Sequence, residues 1–504
     1  MGVIILTVCV LLAVLQVRSL RPPPVSSTPS PPVSLEDVSE LRMDYPGFNF
    51  EVLSSLESGA RTGRLSTPHG EVLTPAFVFC ATKAAMKSIS PQHLRSENTQ
   101  FILSNTYHLM LSPGAELVEQ MGGLQTWSGW RGPMLTDSGG YQIFSMGHGS
   151  VSEEIKGSRN LTSLGRSQSL LRINEEGALF RSYVDGSLHS LTPELCMDIQ
   201  RQLGADIVLV LDECTPFHVD RNYTAESTRR SHRWAIRCLD HFNATRPHNT
   251  PSHNDANDEN HDAALSEGSD GTRRRRRQQA LYGIVQGGVY PDLRKESVDF
   301  VNHMPFFGSA IGGSLGGTRR TMHEVVSLTR GLLRPDRPVH LLGIGAVRDI
   351  FQGVRCGIDS FDCVHPTRIA RHGGVLVKAA HWNAMERKAE LESRIEEQEN
   401  KGKLDWRNRR MKNMEGRRTV REHYHVSKGQ YRLDTRPLEE NCTCSTCTIF
   451  TRSYVHHLFR VKELLGGTLV SIHNIHFMNQ LMADIRYSIS LEIERLDNSS
   501  AILL

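Results

Sequence analysis

The feature that most constrains the fold is a short apolar run that recurs about eight times between residues 48 and 383. The clearest runs read PMLTDSGGYQIFS, GADIVLVLDECTPF, LYGIVQGGVY, FGSAIGGSLGG, VHLLGIGAV and GIDSFDCVHPTR. Most are followed by a helix-like stretch such as 220–243 or 319–334. Apolar strands that alternate with helices indicate a parallel α/β architecture. The repeat number, and the lack of a nucleotide-type glycine fingerprint at the first helix, favour a (β/α)8 TIM barrel over an open sheet.

Polar residues at the ends of these runs are predicted to line one pocket, because the carboxyl ends of barrel strands face the same mouth. They are Asp137, Asp212, Gln286, Gly313 and Asp362. A loop with Arg368 and Arg371 follows Asp362, which suggests a nucleophile beside a phosphate-binding surface. Taken singly, each of these residues also has a structural explanation, since an Asp at a strand end often caps a turn or a helix.

The N-terminal part of the chain is predicted to lie outside the barrel. Residues 1–20 hold an apolar run whose length suits a signal or targeting segment better than a membrane span, and 21–47 read as a Pro/Ser-rich linker. We expect a presequence for import into an organelle, a plastid or a mitochondrion, without stable membrane insertion. Its start carries no Lys or Arg, so a cytoplasmic location is the alternative.

Two segments interrupt or follow the barrel, which is predicted to span 48–383. Residues 246–279 are polar, end in five arginines and are expected to form a disordered surface loop. Residues 384–425 are predicted to form a charged, exposed helical insertion with a basic second half. The net charge of +3 implies that any affinity for nucleic acid comes from local patches, and RNA contact remains open for both segments.

A dense cysteine cluster predicts a metal site in a C-terminal subdomain, 426–490, which ends in a closing helix before a tail at 491–504. Cys442, Cys444 and Cys447 lie within six positions, a density typical of metal thiolates. The fourth ligand is predicted to be His473 of the later stretch VSIHNIH, with His476 of that stretch as the alternative. A closed Cys3His set predicts one structural Zn²⁺ per chain. The remaining alternatives to exclude are His456 and His457.

The motifs LTDSGGYQIFS, LDECTPF, GIVQGG, IGGSLGG, LGIG, FDCVHPTR and C-x-C-x2-C with a distant His together resemble the tRNA-guanine transglycosylases, over about residues 48–490. A short extra stretch near 150–172 departs from that pattern. The resemblance implies a pentosyltransferase of queuosine modification. It would exchange guanine at the wobble position of GUN-anticodon tRNAs (Asp, Asn, His, Tyr) for queuine or 7-aminomethyl-7-deazaguanine. Family members act as dimers, so we expect a homodimer or a heterodimer with a paralogous subunit.

By the same resemblance, Asp362 is the nucleophile that stores the ribosyl group covalently, and Asp137 is the general acid/base. Exchange at an intact ribose passes through an oxocarbenium-like transition state, which glycosidases also handle with two carboxylates. The resemblance assigns substrate binding to Asp212, Gln286, Gly313, Tyr141, Asn105, Cys214 and Gly316, and RNA binding to Arg368 and Arg371. Asp212 would read the guanine face, and Tyr141 would stack on the base.

Departures within these motifs bear on which base is inserted. LDECTPF, with Cys214 and Pro216, resembles the bacterial branch, whose members usually take the aminomethyl precursor. Gly316 stands where that branch usually has Val, which resembles the eukaryotic pocket and leads us to expect queuine. Ser314 replaces a usual Leu and leaves the geometry of the Gly313 N–H open, and His365 replaces another Leu outside the proposed chemistry.

Three other functions stay open. A non-catalytic tRNA-binding partner subunit of the same family would lack the nucleophile, and Asp362 is present. A zinc-stabilised barrel glycosidase would use Asp137 and Asp362 on sugars, but the predicted pocket lacks the Trp residues expected of a sugar site, and the PTRIAR loop suits phosphate better. A scaffold protein built on the arginine run at 273–277 is the third.

Overall fold

The computed structural model describes residues 43–147, 170–215, 219–246, 265–267, 273–275, 278–378 and 422–502. The strands are β1 (Asn49–Ser55), β2 (Arg61–Thr67), β3 (Gly70–Thr74), β4 (Ala76–Cys80), β5 (Ile102–Ser104), β6 (Met134–Thr136), β7 (Leu170–Ile173), β8 (Ala178–Arg181), β9 (Leu188–Leu191), β10 (Ile207–Leu209), β11 (Leu265–Glu267), β12 (Arg273–Arg275), β13 (Ala280–Val285), β14 (Gly308–Ile311), β15 (Val339–Leu341), β16 (Ser360–Asp362), β17 (Gly374–Leu376) and β18 (His423–His425).

The helices are α1 (Pro91–Ser96), α2 (Thr106–Leu111), α3 (Ala115–Gln120), α4 (Gly123–Ser128), α5 (Gly140–Gly147), α6 (Pro193–Leu203), α7 (Arg221–Thr245), α8 (Pro291–His303), α9 (Arg319–Leu332), α10 (Val347–Arg355), α11 (His365–Ala370), α12 (Ser445–Ile449), α13 (Arg452–Arg460) and α14 (Leu464–Ile502). Helices α7 and α9 match the helical stretches expected at 220–243 and 319–334.

Eight parallel strands close into a barrel in the order β4, β5, β6, β10, β13, β14, β15 and β16, with β16 pairing back to β4. This confirms the predicted TIM barrel. Every residue of β13 is buried, as expected for a strand covered on both faces. The barrel residues form one large apolar core with the surrounding helices.

Two buried carboxylates tie the outer sheet β1–β3 to the N-terminal end of the barrel. Asp359, just before β16, pairs with Arg61 of β2 at 2.5 Å and accepts the Val339 N–H at 2.7 Å. Asp206, just before β10, accepts the Met134 N–H at 2.8 Å and lies 2.6 Å from the His69 ring. These aspartates therefore have a structural role at the end of the barrel opposite its carboxyl-terminal mouth.

The C-terminal lobe has a second apolar core, built around β17, β18, α12, α13 and the start of α14. Its boundaries differ from the prediction at two places. His423–His425 is a strand paired with β17, whereas we expected a helix to 425, because pairing with Gly374–Leu376 overrides the charged helical pattern before it. Helix α14 continues to Ile502, whereas we expected a tail from 491. Among the described residues, no helix is both long and apolar enough to cross a membrane.

Several predicted segments fall on residues outside the described ranges. These are the targeting segment, most of the linker and the charged insertion up to 421. The end of the predicted linker belongs to the fold, because Tyr45 donates to Pro305 O at 2.9 Å and contacts the Phe307 ring. Within the insertion 246–279, β11 and β12 pair antiparallel, so these six residues differ from the disordered loop we expected.

Candidate active site

Asp362 ends strand β16 at the mouth of the barrel, and its two oxygens have different partners. Oδ1 accepts the Gly343 N–H at 2.8 Å and lies 3.2 Å from His340 Nε2. Oδ2 lies 3.6 Å from the Cys80 sulfur, and burial raises the pKa of that thiol, so it is a protonated, weak donor. The carboxylate is thus fixed by two neighbouring strands, β4 and β15, and by the loop after β15.

Asp137 follows strand β6 and is held at the beginning of helix α2. The Thr106 N–H donates to Oδ1 at 3.0 Å and the Asn105 amide donates to Oδ2. Asn105 also caps α2, since its side chain accepts the His108 N–H at 2.9 Å. Burial raises the pKa of Asp137 to about 7, against the Thr106 hydrogen bond, and the charges of Asp362 and Asp212 raise it further. This carboxyl can therefore hold or release a proton near neutral pH.

Asp212 follows strand β10 and forms a buried polar pair with Gln286, which follows β13. The Ser138 hydroxyl donates to Asp212 Oδ1 at 3.0 Å, and the Gln286 amide donates to Oδ2 at 2.5 Å. Burial raises the pKa of Asp212 to about 6, and these two hydrogen bonds oppose the rise. The pair presents acceptor and donor atoms of the kind needed at the edge of a guanine-like base.

The Gly313 loop after β14 borders the same pair. A side-chain carbon built on Gly313 would come within 2.3 Å of Gln286 Oε1, so only glycine fits this approach. Burial raises the pKa of the Cys214 thiol near this loop.

Arg294 of helix α8 joins the loops after β13 and β14 and was missed by sequence reasoning. Its guanidinium donates to the carbonyls of Gly288, Val285, Gly312 and Ser314, at 2.7 to 3.2 Å. It is fully buried, and desolvation lowers its pKa to about 10. No sequence signal distinguishes it from the other arginines at helix starts. The Ser314 substitution leaves this loop anchored through its backbone carbonyl.

Gly316, in the same loop, has a backbone conformation and a close neighbour that both favour glycine. Its φ is 106°, and an added Cβ would come within 2.7 Å of Thr321. The glycine is therefore required by the backbone conformation and by this contact. A small pocket beside the same loop is lined by Thr215, Val219, Thr224, Gly288, Val289, Tyr290 and Ser314.

The remaining predicted substrate-binding residues lie on helices that begin at the mouth. Tyr141 is in the first turn of α5, 44% exposed, and the preceding Gly140 touches the Asp212 backbone, where a Cβ would be 2.5 Å from Asp212 O. Arg368 is exposed on α11, and Arg371 at its end donates to Thr367 O at 2.9 Å. Desolvation, together with Arg368, lowers the pKa of Arg371. The two arginines give this helix a basic surface directly after Asp362.

The predicted ligand cluster comes together between α12 and α14. Ligand atoms of Cys442, Cys444, Cys447 and His473 all lie within 4.8 Å of one another. The three sulfurs are 3.5, 3.7 and 3.4 Å from His473 Nδ1. A tetrahedral zinc site has S···N edges of about 3.6 Å, so the set fits a metal of that kind. His473 Nε2 lies 2.8 Å from Leu376 O, an outer-shell partner that leaves Nδ1 for the metal.

The alternative histidines have other partners. His476 pairs with Glu97 at 2.8 Å, and His456 Nδ1 lies 2.9 Å from Val426 O within the second core. His457 is exposed on α13. The cluster of the described residues therefore contains His473, the histidine first favoured by the spacing.

Sequence reasoning also missed His340, Ser138 and Thr106. His340 is a buried histidine in a strand otherwise made of Val and Leu, and such residues usually satisfy core hydrogen bonds, so its contact with Asp362 depends on strand register. Ser138 lies in the TDSGGY motif next to Asp137, where proximity was the only available signal. The Thr106 contact uses a backbone N–H, which no residue type specifies.

The chain is similar to known proteins over most of its length. A sequence model described as queuine tRNA-ribosyltransferase matches residues 56–493. A queuine tRNA-ribosyltransferase of Roseiflexus sp. (strain RS-1) is 41% identical over 436 residues, which cover 86% of this chain and 93% of that protein. Proteins of the same name from Protochlamydia amoebophila (37%, 88% and 96%) and Halothermothrix orenii (38%, 86% and 91%) are also similar.

Proposed function

The chain belongs to the queuine tRNA-ribosyltransferase family, and from this premise we propose that it replaces guanine with queuine or 7-aminomethyl-7-deazaguanine at the wobble position of GUN-anticodon tRNAs. The observation that carries the proposal is the placement of Asp362 and Asp137 in one barrel mouth, close enough for the charge of Asp362 to raise the pKa of Asp137. The Asp212–Gln286 pair in the same mouth supports a guanine-like substrate.

In the proposed mechanism the two carboxylates divide the chemistry of glycosyl exchange. Asp362 attacks C1′ and holds the ribosyl group as an ester while one base leaves and another enters. Asp137 gives a proton to the departing guanine and takes one from the arriving base. Its pKa of about 7 suits both directions, because a group that titrates near the working pH can donate and accept with little cost.

The base would be read along its polar edge. Asp212 would accept from N1–H and the amino group, which requires its carboxylate form, and its pKa of about 6 supports this near neutral pH. Gln286 and the Gly313 N–H would face O6. Tyr141 would stack on the base, which must leave its own stack to enter the mouth.

We propose zinc as the metal of the Cys442, Cys444, Cys447 and His473 cluster, in a structural role. Bound zinc would supply cross-links within the C-terminal lobe, because a site with four protein ligands has no open position for substrate. Asn474, next to the ligand His473, donates to Pro366 O at 2.9 Å and to Gly374 O at 3.0 Å. The lobe would thereby hold α11, and with it Arg368 and Arg371, against the neighbouring nucleotides of the anticodon loop.

A dimer and organellar import complete the proposal. Three apolar side chains of the C-terminal lobe are largely exposed, Leu433 at 85%, Leu464 at 81% and Ile449 at 70%, which supports burial of this lobe against a second copy or a paralogous subunit. Light scattering would give the mass in solution.

The apolar and Pro/Ser-rich residues 1–47 support a presequence, which imaging of a fluorescent fusion to this segment would test.

The proposed activity is tested with protein that lacks about residues 1–34, a cut suggested by the Pro/Ser linker. Release of labelled guanine from tRNA-Tyr or tRNA-Asp transcripts is followed with queuine or the aminomethyl precursor. Asp362→Asn serves as the isosteric control, and a transcript with adenine at the wobble position serves as the substrate control. We expect release only from the guanine transcript and only with Asp362 intact. Absence of exchange with both bases, with zinc and tRNA bound, would contradict the proposal and favour a non-catalytic tRNA-binding subunit.

A further inference from the structure

The register of two barrel strands places a buried histidine against the proposed nucleophile. His340 of β15 is the partner of Ser360 of β16 in the parallel ladder. Ser360 and Asp362 are two residues apart in the strand, so both side chains point to the same side of the sheet. His340 lies between them, with Nδ1 2.9 Å from Ser360 Oγ and Nε2 3.2 Å from Asp362 Oδ1.

This environment determines which ring nitrogen carries the proton. His340 is fully buried, and Asp362 is an acceptor when ionised, so a neutral imidazole satisfies both contacts only with its proton on Nε2. Nδ1 then accepts from the Ser360 hydroxyl. The result is a directional chain in which Ser360 donates to His340 and His340 donates to Asp362.

The chain makes the two oxygens of Asp362 unequal. Oδ1 receives two N–H donors, from His340 and Gly343, whereas Oδ2 faces only the Cys80 thiol among the described residues. Thiols are weak donors. The lone pairs of Oδ2 are therefore less engaged, and this oxygen is the one available for attack.

From this asymmetry we infer that His340 is a positioning residue that directs Oδ2 of Asp362 toward C1′, with Ser360 fixing its tautomer. The inference rests on the proposed function. The Oδ2–C1′ bond forms as the C1′–N9 bond breaks, and the electron pair of that bond stays on the guanine, which takes a proton from Asp137. In the second step the arriving base gives its N9 proton to Asp137, its nitrogen bonds C1′, and the Oδ2–C1′ pair returns to the carboxylate.

His340 acts in both steps through the same hydrogen bond. In the ester, Oδ1 is the carbonyl oxygen and continues to accept from His340 and Gly343. When the ester breaks, negative charge returns to the carboxylate, and these donors stabilise it as the leaving group. Loss of His340 should therefore slow breakdown of the intermediate, because this stabilisation is lost, and slow its formation, because Oδ2 is no longer directed toward C1′, while tRNA binding stays unchanged.

The test compares His340→Leu, which removes the donor, with His340→Gln, whose amide can donate from nearly the position of Nε2. His456→Leu is the matched control, because His456 is also buried and hydrogen-bonded but lies in the C-terminal lobe. Single-turnover guanine release and the amount of tRNA–protein adduct on denaturing gels are measured with the zinc-loaded protein, together with tRNA affinity, zinc content and thermal unfolding.

We expect His340→Leu to slow guanine release by about 10- to 100-fold, the range for loss of a hydrogen bond to a charged group, with tRNA affinity within about twofold. His340→Gln should recover most of the rate. Ser360→Ala keeps the His340 ring but removes the hydroxyl that fixes its tautomer, so it should slow guanine release by a smaller factor. This variant still tests the inference if His340→Leu does not fold. The inference would be overturned if His340→Leu and His340→Gln released guanine at equal rates, or if neither His340→Leu nor Ser360→Ala slowed guanine release. Lack of exchange by the unaltered protein would instead overturn the proposed function.

Discussion

At the residue scale, Asp137 should set the upper pH limit of the first chemical step. Guanine departs with a proton, so this step needs protonated Asp137, and its pKa of about 7 means that the protonated fraction falls as the pH rises through that value. We expect the single-turnover rate of guanine release to be highest between about pH 6 and 7. It should fall about tenfold per unit well above pH 7, as Asp137 loses its proton, and should also fall below pH 6, as the Asp212 carboxylate gains one.

Quench-flow measurements between pH 5.5 and 9 give this profile. Asp137→Asn keeps the acceptor for the Thr106 N–H but cannot titrate, so it should lower the rate and remove the fall above pH 7. An unchanged inflection near pH 7 in the Asn variant would assign the titration to another group.

Gly316 provides a second prediction at the residue scale. If it served to admit the larger base, Gly316→Val would shift preference from queuine to the aminomethyl precursor. Its φ of 106° and the contact of an added Cβ with Thr321 predict instead that the Val variant loses activity with both bases, because the loop after β14 must move. Relative kcat/KM values for the two bases distinguish these outcomes, and Gly331→Val, at a glycine with open space around an added Cβ, is the control.

At the element scale, Arg294 should couple the loops after β13 and β14. Lys in its place keeps the charge but cannot donate to four carbonyls at once. We expect Arg294→Lys to raise KM for the incoming base by about tenfold or more, since each lost hydrogen bond to a charged group is worth about 1.5–3 kcal/mol. KM for tRNA should change less.

Arg330→Lys is the matched control for this variant. Arg330 is also a buried arginine that donates to a backbone carbonyl, Gly357 O at 2.8 Å, but before β16, at the other end of the barrel. Both variants should lower the melting temperature. An equal rise of the base KM in the two would mean that Arg294 acts through stability alone.

The barrel strands could be predicted from the sequence because a buried parallel strand is a continuous apolar run along the chain. LYGIVQGG contains an apolar run followed by Gln286, so the chain order predicts both the strand β13 and the place of Gln286 at the mouth. Contacts across strands have no such signature. The His340–Asp362 pair depends on the register of β15 and β16, and the Arg294 clamp depends on the path of two glycine loops. The positive φ of Gly316 likewise has no signature in the sequence.

At the scale of the whole molecule, the insertion 246–279 enters the fold away from the proposed site. Arg246 directly follows α7 and donates to Asp44 O. Gln279 precedes β13 and donates to Gln200 O at 3.1 Å and Ala205 O at 2.7 Å. Both ends thus lie at the N-terminal end of the barrel strands, whereas Asp362, Asp137 and Asp212 follow the carboxyl ends. The insertion that carries the arginine run therefore joins the barrel at the end opposite the proposed active site.

We therefore expect that replacing residues 250–277 with a short Gly/Ser linker leaves kcat/KM for tRNA within about twofold and the melting temperature nearly unchanged, since closing a flexible loop of different length costs little free energy. A scaffold built on the arginine run predicts the opposite, with activity or binding lost on deletion. A second variant, in which the five arginines are replaced with Gln at unchanged loop length, separates the effect of charge from that of length. A loss of tRNA affinity in both variants would show that the insertion reaches the tRNA. A loss in the deletion variant alone would show that the loop is needed for folding.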